Sequence, residues 1–452
     1  MLEDITKALL KHNRPVPRYT SYPTAPHFSG KIDAGVAAQW LAETPADQPL
    51  SLYFHIPFCK KLCWYCGCNT KATLKYDPVR QYLEYLKKEV SLVAGMMAGK
   101  RHVSHIHFGG GSPSYIRPND FAGFMDHVRT QFDVLSDADI AIEIDPRELT
   151  APKVVAYKKA GVTRASLGVQ DFHEDVQTAI NRVQPLHNVV DGVKLLHNYG
   201  INQINMDLLY GLPLQTTESI SRNIDIAAGL MPQRISLFGY AHVPWMKKHM
   251  RLIPTNSLPS GEDRIDQFEI ARTALEKKGY VQVGLDHFVR PDDAMAIALK
   301  QQTLKRNFQG YSTDCAPVLV GFGASAISAV QQGYYQNTAD VKEYSAAFDN
   351  EHLPIIKGIE LREDDRVRRA LIEHLMCYMK IDLGEFCHLH KISPAMFAPA
   401  LQQLSELEQA GLVKVDNLTI STMPGAAQAV RLICAAFDSY LAPEKGKHSQ
   451  VA

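Results

Sequence analysis

Between residues 50 and 290, short apolar runs rich in β-branched residues alternate with longer stretches whose apolar positions recur at helical spacing. The runs are SLYFHIP (51–57), HVSHIHF (102–108), DIAIEID (139–145), RASLGVQ (164–170), QINMDLL (203–209), RISLFGY (234–240) and YVQVGLDHF (280–288). Between them lie segments such as DPVRQYLEYLKKEVSLVAGMM and VVDGVKLLHNYG, the second ending on Gly200. Strands alternating with helices imply parallel βαβ units. Six or seven such units can close into a full or partial barrel, or lie in an open doubly wound sheet. Nearly every run leads directly into residues suited to chemistry: His55 and Cys59, Gly109 to Gly111, Glu143 and Asp145, Gln170, Asp207, Tyr240. A barrel gathers all its C-terminal strand ends on one face, whereas an open sheet uses mainly its switch-point crevice. The pattern therefore favours the barrel.

The flanks read differently. Residues 14–30, RPVPRYTSYPTAPHFSG, have no helical period and predict an irregular arm, set at 1–48. Residues 300–360 carry LKRNFQGYSTD and a Gly/Ala run, and are taken as an extension of the barrel domain, 49–360. From 361 the texture turns helical. REDDRVRRALIEHLMCYMK and MFAPALQQLSELEQAGLVKV are followed by VKVDNLTIS, which predicts a small hairpin. Helices followed by a hairpin suggest a winged-helix-like C-terminal domain, 361–452. It has 10 Lys and Arg against 11 Asp and Glu, a net of −1. A DNA reader needs phosphate-neutralising charge, so this domain is not expected to bind nucleic acid.

Bulk composition narrows the class. Lys plus Arg and Asp plus Glu balance at 48 each among 452 residues, so no global field favours nucleic acid or an anionic membrane. The longest run of small and apolar residues, APVLVGFGASAISAV (316–330), falls short of the roughly 20 residues of a membrane helix. The N-terminus has no basic region followed by an apolar one, so no secretory signal is expected. A cytoplasmic chain is the expectation, and clustered thiols there bind metal or do redox chemistry more often than they form structural disulfides.

Half of the 8 cysteines lie in one stretch, YFHIPFCKKLCWYCGCNT, as Cys59, Cys63, Cys66 and Cys68. The spacing is C-x3-C-x2-C-x-C, directly after a predicted strand. Structural zinc usually draws ligands from two separated pairs. A thiol–disulfide site needs only the C-W-Y-C unit and leaves Cys59 unexplained. An iron–sulfur cluster suits a tight cysteine loop, and three ligands to a cubane leave one iron open for chemistry.

C-x3-C-x2-C after the first strand of a (β/α) barrel resembles the signature of radical S-adenosylmethionine (SAM) enzymes. PRYTSYPT, SLYFHIPFCKKLCWYCGCN, HFGGGSPSYI, IEIDPREL, GVQDF, MDLLYGLP, GYAHVP, RNFQGYST and GFGASAIS follow in order. From about residue 14 to about 440 they resemble the oxygen-independent coproporphyrinogen III oxidases. The resemblance implies an α/β fold: a partial (β/α)6-type radical SAM barrel between the arm and a mostly helical C-terminal domain. It implies oxidative decarboxylation of two propionates of coproporphyrinogen III to vinyl groups, in anaerobic haem biosynthesis. It also implies a flavodoxin- or ferredoxin-type electron donor and a soluble monomer. Alternatives are a haem chaperone paralogue that binds haem without decarboxylating, a methyltransferase-type relative acting on haem, and a zinc protein.

The resemblance carries residues with it. Cys59, Cys63 and Cys66 would ligate a [4Fe–4S] cluster, with Cys68 as a packed thiol beside it and His55 nearby. Gly110, Gly111 and Ser112 would receive the SAM amino group; Thr is common in the family where Ser112 stands. Glu143, Gln170, Arg182 and Asp207 would contact SAM, and Tyr53, Ala241 and Ile327 would line its site. A second SAM is associated with Tyr65, Gly110, Phe308 and Gln309, with Phe common in place of Tyr65. The propionates need cations, and Arg18, Lys247, Lys248, Arg251, Arg290 and Arg306 are candidates. The arm around Arg18 would fold over the barrel mouth as a lid.

Overall fold

The computed structural model describes residues 2–441. Its core is a sheet whose six successive parallel strands are β1 (Leu50–Ile56), β2 (His102–Gly110), β3 (Asp133–Ile144), β4 (Arg164–Gln170), β5 (Gln203–Tyr210) and β6 (Arg234–Gly239). Helices including Asp77–Met96, Pro118–Gln131, Ala151–Lys159, Leu186–Asn198 and Thr217–Gly229 follow them. Side-chain alternation explains the placement. Ala165, Leu167 and Val169 of β4, and Ile204, Met206 and Leu208 of β5, are buried in the main apolar core. The intervening Ser166, Gly168, Gln170 and Asp207 line the interior instead. A strand has period two, so one face of each is apolar and the other is free for chemistry.

The sheet extends at both edges. YVQVGLDHF, expected as one strand, is two: β7 (Val281–Val283) and β8 (His287–Val289), an antiparallel pair. The chain reverses at Gly284, which has φ of 58° and whose missing Cβ makes room for the Tyr311 ring. β8 pairs antiparallel with β6. On the other side β9 (Val318–Phe322) lies parallel to β1. Beyond it come β10 (Ile327–Ala329), β11 (Gly333–Asn337) and β12 (Ile355–Glu360), all antiparallel. The order β12-β11-β10-β9-β1-β2-β3-β4-β5-β6-β8-β7 ends without a closing pair among the described residues. The barrel is therefore partial, as the resemblance implied.

The arm begins in a helix, Leu2–Lys11, and ends in another, Ala34–Ala42, capped by Asp33. Its irregular middle does not stand alone. Ile5, Leu9, Val16, Tyr19 and Tyr22 share one apolar core with Leu371, Leu375, Leu404 and Ile433 of the C-terminal region. That region comprises the helices Glu363–Tyr378, Leu383–Leu389, Ala398–Gln409 and Val430–Ala436 and a three-stranded antiparallel sheet containing the expected hairpin, Val413–Asp416 with Thr419–Thr422. No helix among the described residues is long and apolar enough to cross a membrane.

Candidate active site

The cysteine loop is tied down at many points. Its base is a two-residue parallel pair, Phe58–Cys59 with Lys71–Ala72. The Trp64 amide donates to the Ile180 carbonyl at 3.0 Å, and the Asn181 side chain donates to the Leu62 carbonyl at 2.9 Å. Lys247 donates to the Cys68 carbonyl and the His249 ring contacts the Cys66 carbonyl, each at 2.8 Å. So tethered, Cys59, Cys63 and Cys66 line a cavity of 260 Å³ together with Tyr65, Gly110, Gly111, Ser112, Glu143, Gln170, Arg182 and Asp207. Cys68 lines it too. The strand ends thus bring most of the expected cluster and SAM residues around one space.

Two glycines shape the wall beside the loop's base. Gly110 has φ of 112°, and a Cβ there would lie 2.6 Å from the His55 ring. At Gly111 a Cβ would meet the Ile56 carbonyl and the Phe58 nitrogen at 2.9 Å. Both glycines line the cavity, and a side chain at either would collide with packed neighbours and push this backbone out of place. The Gly110 amide donates to Glu143 at 3.2 Å. His55 is buried, with one ring nitrogen 2.9 Å from the Asn69 carbonyl and the other 3.1 Å from the Tyr53 hydroxyl. Burial holds its pKa below the usual value for histidine.

Arg182 is buried on the cavity wall. It donates to the Cys63 sulfur at 3.5 Å, to Asp145 at 3.3 Å and to the Gly168 carbonyl, and its Nε is buried without a hydrogen-bond partner. Asp145 also accepts from Arg147 at 2.6 Å. Burial alone would raise the Asp145 carboxyl, but Arg182 and Arg147 outweigh it and hold it below the carboxylate range. Asp207 forms no ion pair among the described residues. Burial pushes it up to about 6, against hydrogen bonds from Ser166 at 2.8 Å and Asn205 at 2.7 Å. Gln170 sits at φ of 71°, a strained conformation for a residue with a side chain.

The thiols differ. Burial pushes Cys59 up to about 12, although the Thr70 hydroxyl 3.2 Å away opposes it. Hydrogen bonding with Cys68 draws Cys66 down to about 7. Among the described residues no three His, Cys, Asp or Glu side chains converge tightly enough for one metal ion. The three thiols instead surround a space, with soft sulfur donors and an open glycine wall, which suits an iron–sulfur cluster with a ligand beside it.

Other expected residues lie elsewhere. Tyr53 stacks on His107, their centroids 5.8 Å apart. Ile327 packs with Phe308 in a separate small apolar cluster. Neither they nor Ala241 line the cavity of the thiols. Gln309 lines a second, lower barrel cavity of 200 Å³, which shares Glu143, Ser166, Asp207 and Phe238 with the first. Phe308 lines a third, of 300 Å³, between the arm and the C-terminal region. The four residues associated with a second SAM are thus spread over three spaces. Among the candidate cations, Arg290 follows β8 beside the start of β6, at the barrel end opposite the cysteine loop. Lys248 and Arg251 are exposed, while Lys247 serves the loop. Arg18 donates to the Gly239 carbonyl at 3.1 Å, and Arg306 donates to the carbonyls of Arg18 and Tyr19, each at 3.2 Å. Sequence reasoning missed Ser166, Gly168, Arg147 and Phe238 in the lining. Ser166 and Gly168 were within reach, since they alternate with the apolar residues of RASLGVQ.

A C-x3-C-x2-C thiol loop at the mouth of a partial (β/α) barrel, beside a glycine wall, is the arrangement of a radical SAM protein, and the radical SAM superfamily matches residues 53–225. Whole-chain relatives narrow this. The oxygen-independent coproporphyrinogen III oxidase of Bradyrhizobium diazoefficiens is 47% identical, over 96% of this chain and 97% of that one. That of Salmonella typhimurium is 39% identical, over 95% of this chain and 94% of its own. The solved coproporphyrinogen III oxidase of Escherichia coli, described as a radical SAM enzyme, superposes with a TM-score of 0.89 at 37% identity, covering 95% of this chain and all of that one. The chain belongs to the oxygen-independent coproporphyrinogen III oxidase family. Its members are radical SAM oxidoreductases, which work with a [4Fe–4S] cluster and SAM.

Proposed function

We propose that the chain decarboxylates two propionate side chains of coproporphyrinogen III to vinyl groups without oxygen, giving protoporphyrinogen IX; each propionate gives up a hydrogen atom, CO2 and one electron, and the electron passes to an external acceptor. The observation that carries this reading is one cavity lined by the three thiols of Cys59, Cys63 and Cys66 together with Gly110, Gly111, Arg182 and Asp207. When bound, the reduced cluster and SAM supply a primary carbon radical able to break an unactivated C–H bond, which no side-chain base can do. The chain's residues bind, orient and exclude water. Gly110, Gly111 and Ser112 leave backbone open to the amino group of SAM. Arg182 keeps its charge beside Asp145 and offers the unpartnered Nε to a carboxylate. Glu143, Gln170 and Asp207 offer acceptors and an amide to the ribose and sulfonium, and an Asp207 titrating at about 6 is ionised at neutral pH.

A second SAM is supported by the lower cavity, which continues from the first through Glu143 and Asp207 and reaches Gln309. A low-potential donor of the flavodoxin or ferredoxin class suits reduction of such a cluster. We place the chain in the cytoplasm as a monomer.

The test is anaerobic turnover. Protein reconstituted with iron and sulfide, given SAM, reductant and coproporphyrinogen III, is expected to release two CO2 with 5′-deoxyadenosine, and Cys63→Ser is expected to abolish both. Deoxyadenosine without decarboxylation would move the substrate elsewhere. Neither product, with tight haem binding, would turn the reading to the chaperone.

A further inference from the structure

At the C-terminal ends of β5 and β6 lies a half-buried cation with no counterion. Arg264, in the first turn of the helix Gly261–Lys277, has its guanidinium over the Tyr210 ring, 5.8 Å from the centroid. It fills the room a side chain would need at Gly211, where a Cβ would lie 2.4 Å from Nη1, and it comes within 3.4 Å of the corresponding position at Gly239. Its Nε is buried without a hydrogen-bond partner, and among the described residues no carboxylate forms an ion pair with it. A desolvated guanidinium with its donors unused is costly unless something anionic joins it.

The surroundings add positive charge. Arg18, from the arm, reaches the same Gly239 through its carbonyl. Burial lowers the pKa of Arg264, and Arg18 lowers it further, so the two guanidinia lie close enough to repel. Arg431 stands near enough to Arg18 and Arg306 to be lowered by both, beneath the effect of its own burial. Asp286, which Arg306 and Arg18 help to hold low, is already engaged by the His287 ring at 2.7 Å. The rim of the mouth is therefore positive beside the strand ends that lead into the thiol cavity, and among the described residues the Arg264 guanidinium has no carboxylate paired with it.

Resting on the reading above, we propose that Arg264, assisted by Arg18, receives a propionate carboxylate of the tetrapyrrole. The planar fork suits a carboxylate bidentately. The substrate has four such groups, and only two are lost. A fixed anchor for one that does not react sets which chain lies over the cavity.

The experiment uses the reconstituted full chain and two probes, coproporphyrin III and its tetramethyl ester, with binding followed by porphyrin fluorescence. Arg264→Gln is expected to weaken coproporphyrin III about tenfold to a hundredfold and leave the ester unchanged. In turnover, KM for coproporphyrinogen III rises more than kcat falls, while iron content and SAM affinity stay at wild-type values. Arg264→Lys, which keeps charge but loses the fork, is expected to lie between. Equal weakening of acid and ester would make Arg264 a purely structural residue and overturn the proposal, as would unchanged acid binding. If Arg264→Gln does not fold, an Arg264→Lys protein that binds acid and ester with unaltered relative affinity overturns it equally. A wild-type chain that cleaves SAM but leaves coproporphyrinogen III intact would reject the function itself, a result separate from failure of the variants.

Discussion

One guanidinium nitrogen of Arg182 serves two partners, the Cys63 sulfur at 3.5 Å and the Asp145 carboxylate at 3.3 Å. The residue therefore joins the thiol loop to the end of β3 and holds a positive charge against the cavity. Arg182→Gln is expected to weaken SAM about tenfold or more and to lower the thermal midpoint, because Asp145 loses a charged hydrogen bond of roughly 1.5–3 kcal/mol. Calorimetric titration of SAM into anaerobically reconstituted protein measures the first, and unaltered SAM affinity would remove Arg182 from the site.

Gly110→Ala tests the glycine wall. The φ of 112° is unfavourable for alanine, and the new methyl would press on His55. The backbone facing the cavity must shift, and a shift of about 1 Å at a reacting centre can cost roughly a hundredfold in rate. The expected outcome is decarboxylation reduced to that extent with iron content retained. Activity within twofold of wild type would show that the wall does not need its present shape.

Glu89 predicts a pH dependence away from the chemistry. Its buried carboxyl accepts from the Gly323 amide at 2.7 Å, the Asn337 side chain at 2.6 Å and the Tyr344 hydroxyl at 2.5 Å. Burial pushes it from 4.5 up to about 7, against those hydrogen bonds. The folded chain thus binds this proton more tightly than the unfolded chain. Its contribution to stability is full below about 4.5 and is lost as pH rises through about 7. Denaturant midpoints of wild type and Glu89→Gln across that window are expected to diverge in slope, with the glutamine protein losing less stability as pH rises. Parallel curves would mean that Glu89 does not titrate there.

The arm is expected to be structural as well as a cover. Tyr19 is buried in the core shared with the C-terminal region, and its hydroxyl donates to Asp438 at 3.0 Å. Tyr19→Ala should cost about 3 kcal/mol or more, read as a fall in the denaturant midpoint. Removal of residues 1–30 should lower stability and activity together. Full activity after that deletion would sink both the cover and the structural role.

Much of the site was legible because strand period and function coincide. RASLGVQ and QINMDLL alternate, so Gln170 and Asp207 fall on the inward face at strand ends, and the thiol spacing pointed to the loop. Other features had no local signal. The split in YVQVGLDHF depends on a positive φ at Gly284 and on a ring from Tyr311. The roles of Lys247 and His249 depend on carbonyls about 180 positions earlier, and KKHMR by itself reads as a solvated face. Arg264 was unremarkable in the text, since a basic residue in a first helical turn is ordinarily exposed. The cavity also omits Tyr53, Ala241 and Ile327, whose assignment came from resemblance and not from any periodicity.

The clasp on the arm has a wider consequence. Arg431, from the last described helix, donates to the carbonyls of Val16 and Pro17, and Arg306 donates to those of Arg18 and Tyr19. A chain cut at residue 360 would keep every residue lining the thiol cavity but lose Arg431 and the C-terminal half of the arm's core. The arm and the C-terminal region therefore act as one buckle. A lesion far from the iron-binding loop, among residues such as Leu371 or Ile433, would loosen the rim of the mouth and register as lost catalysis before it registered as an altered cavity.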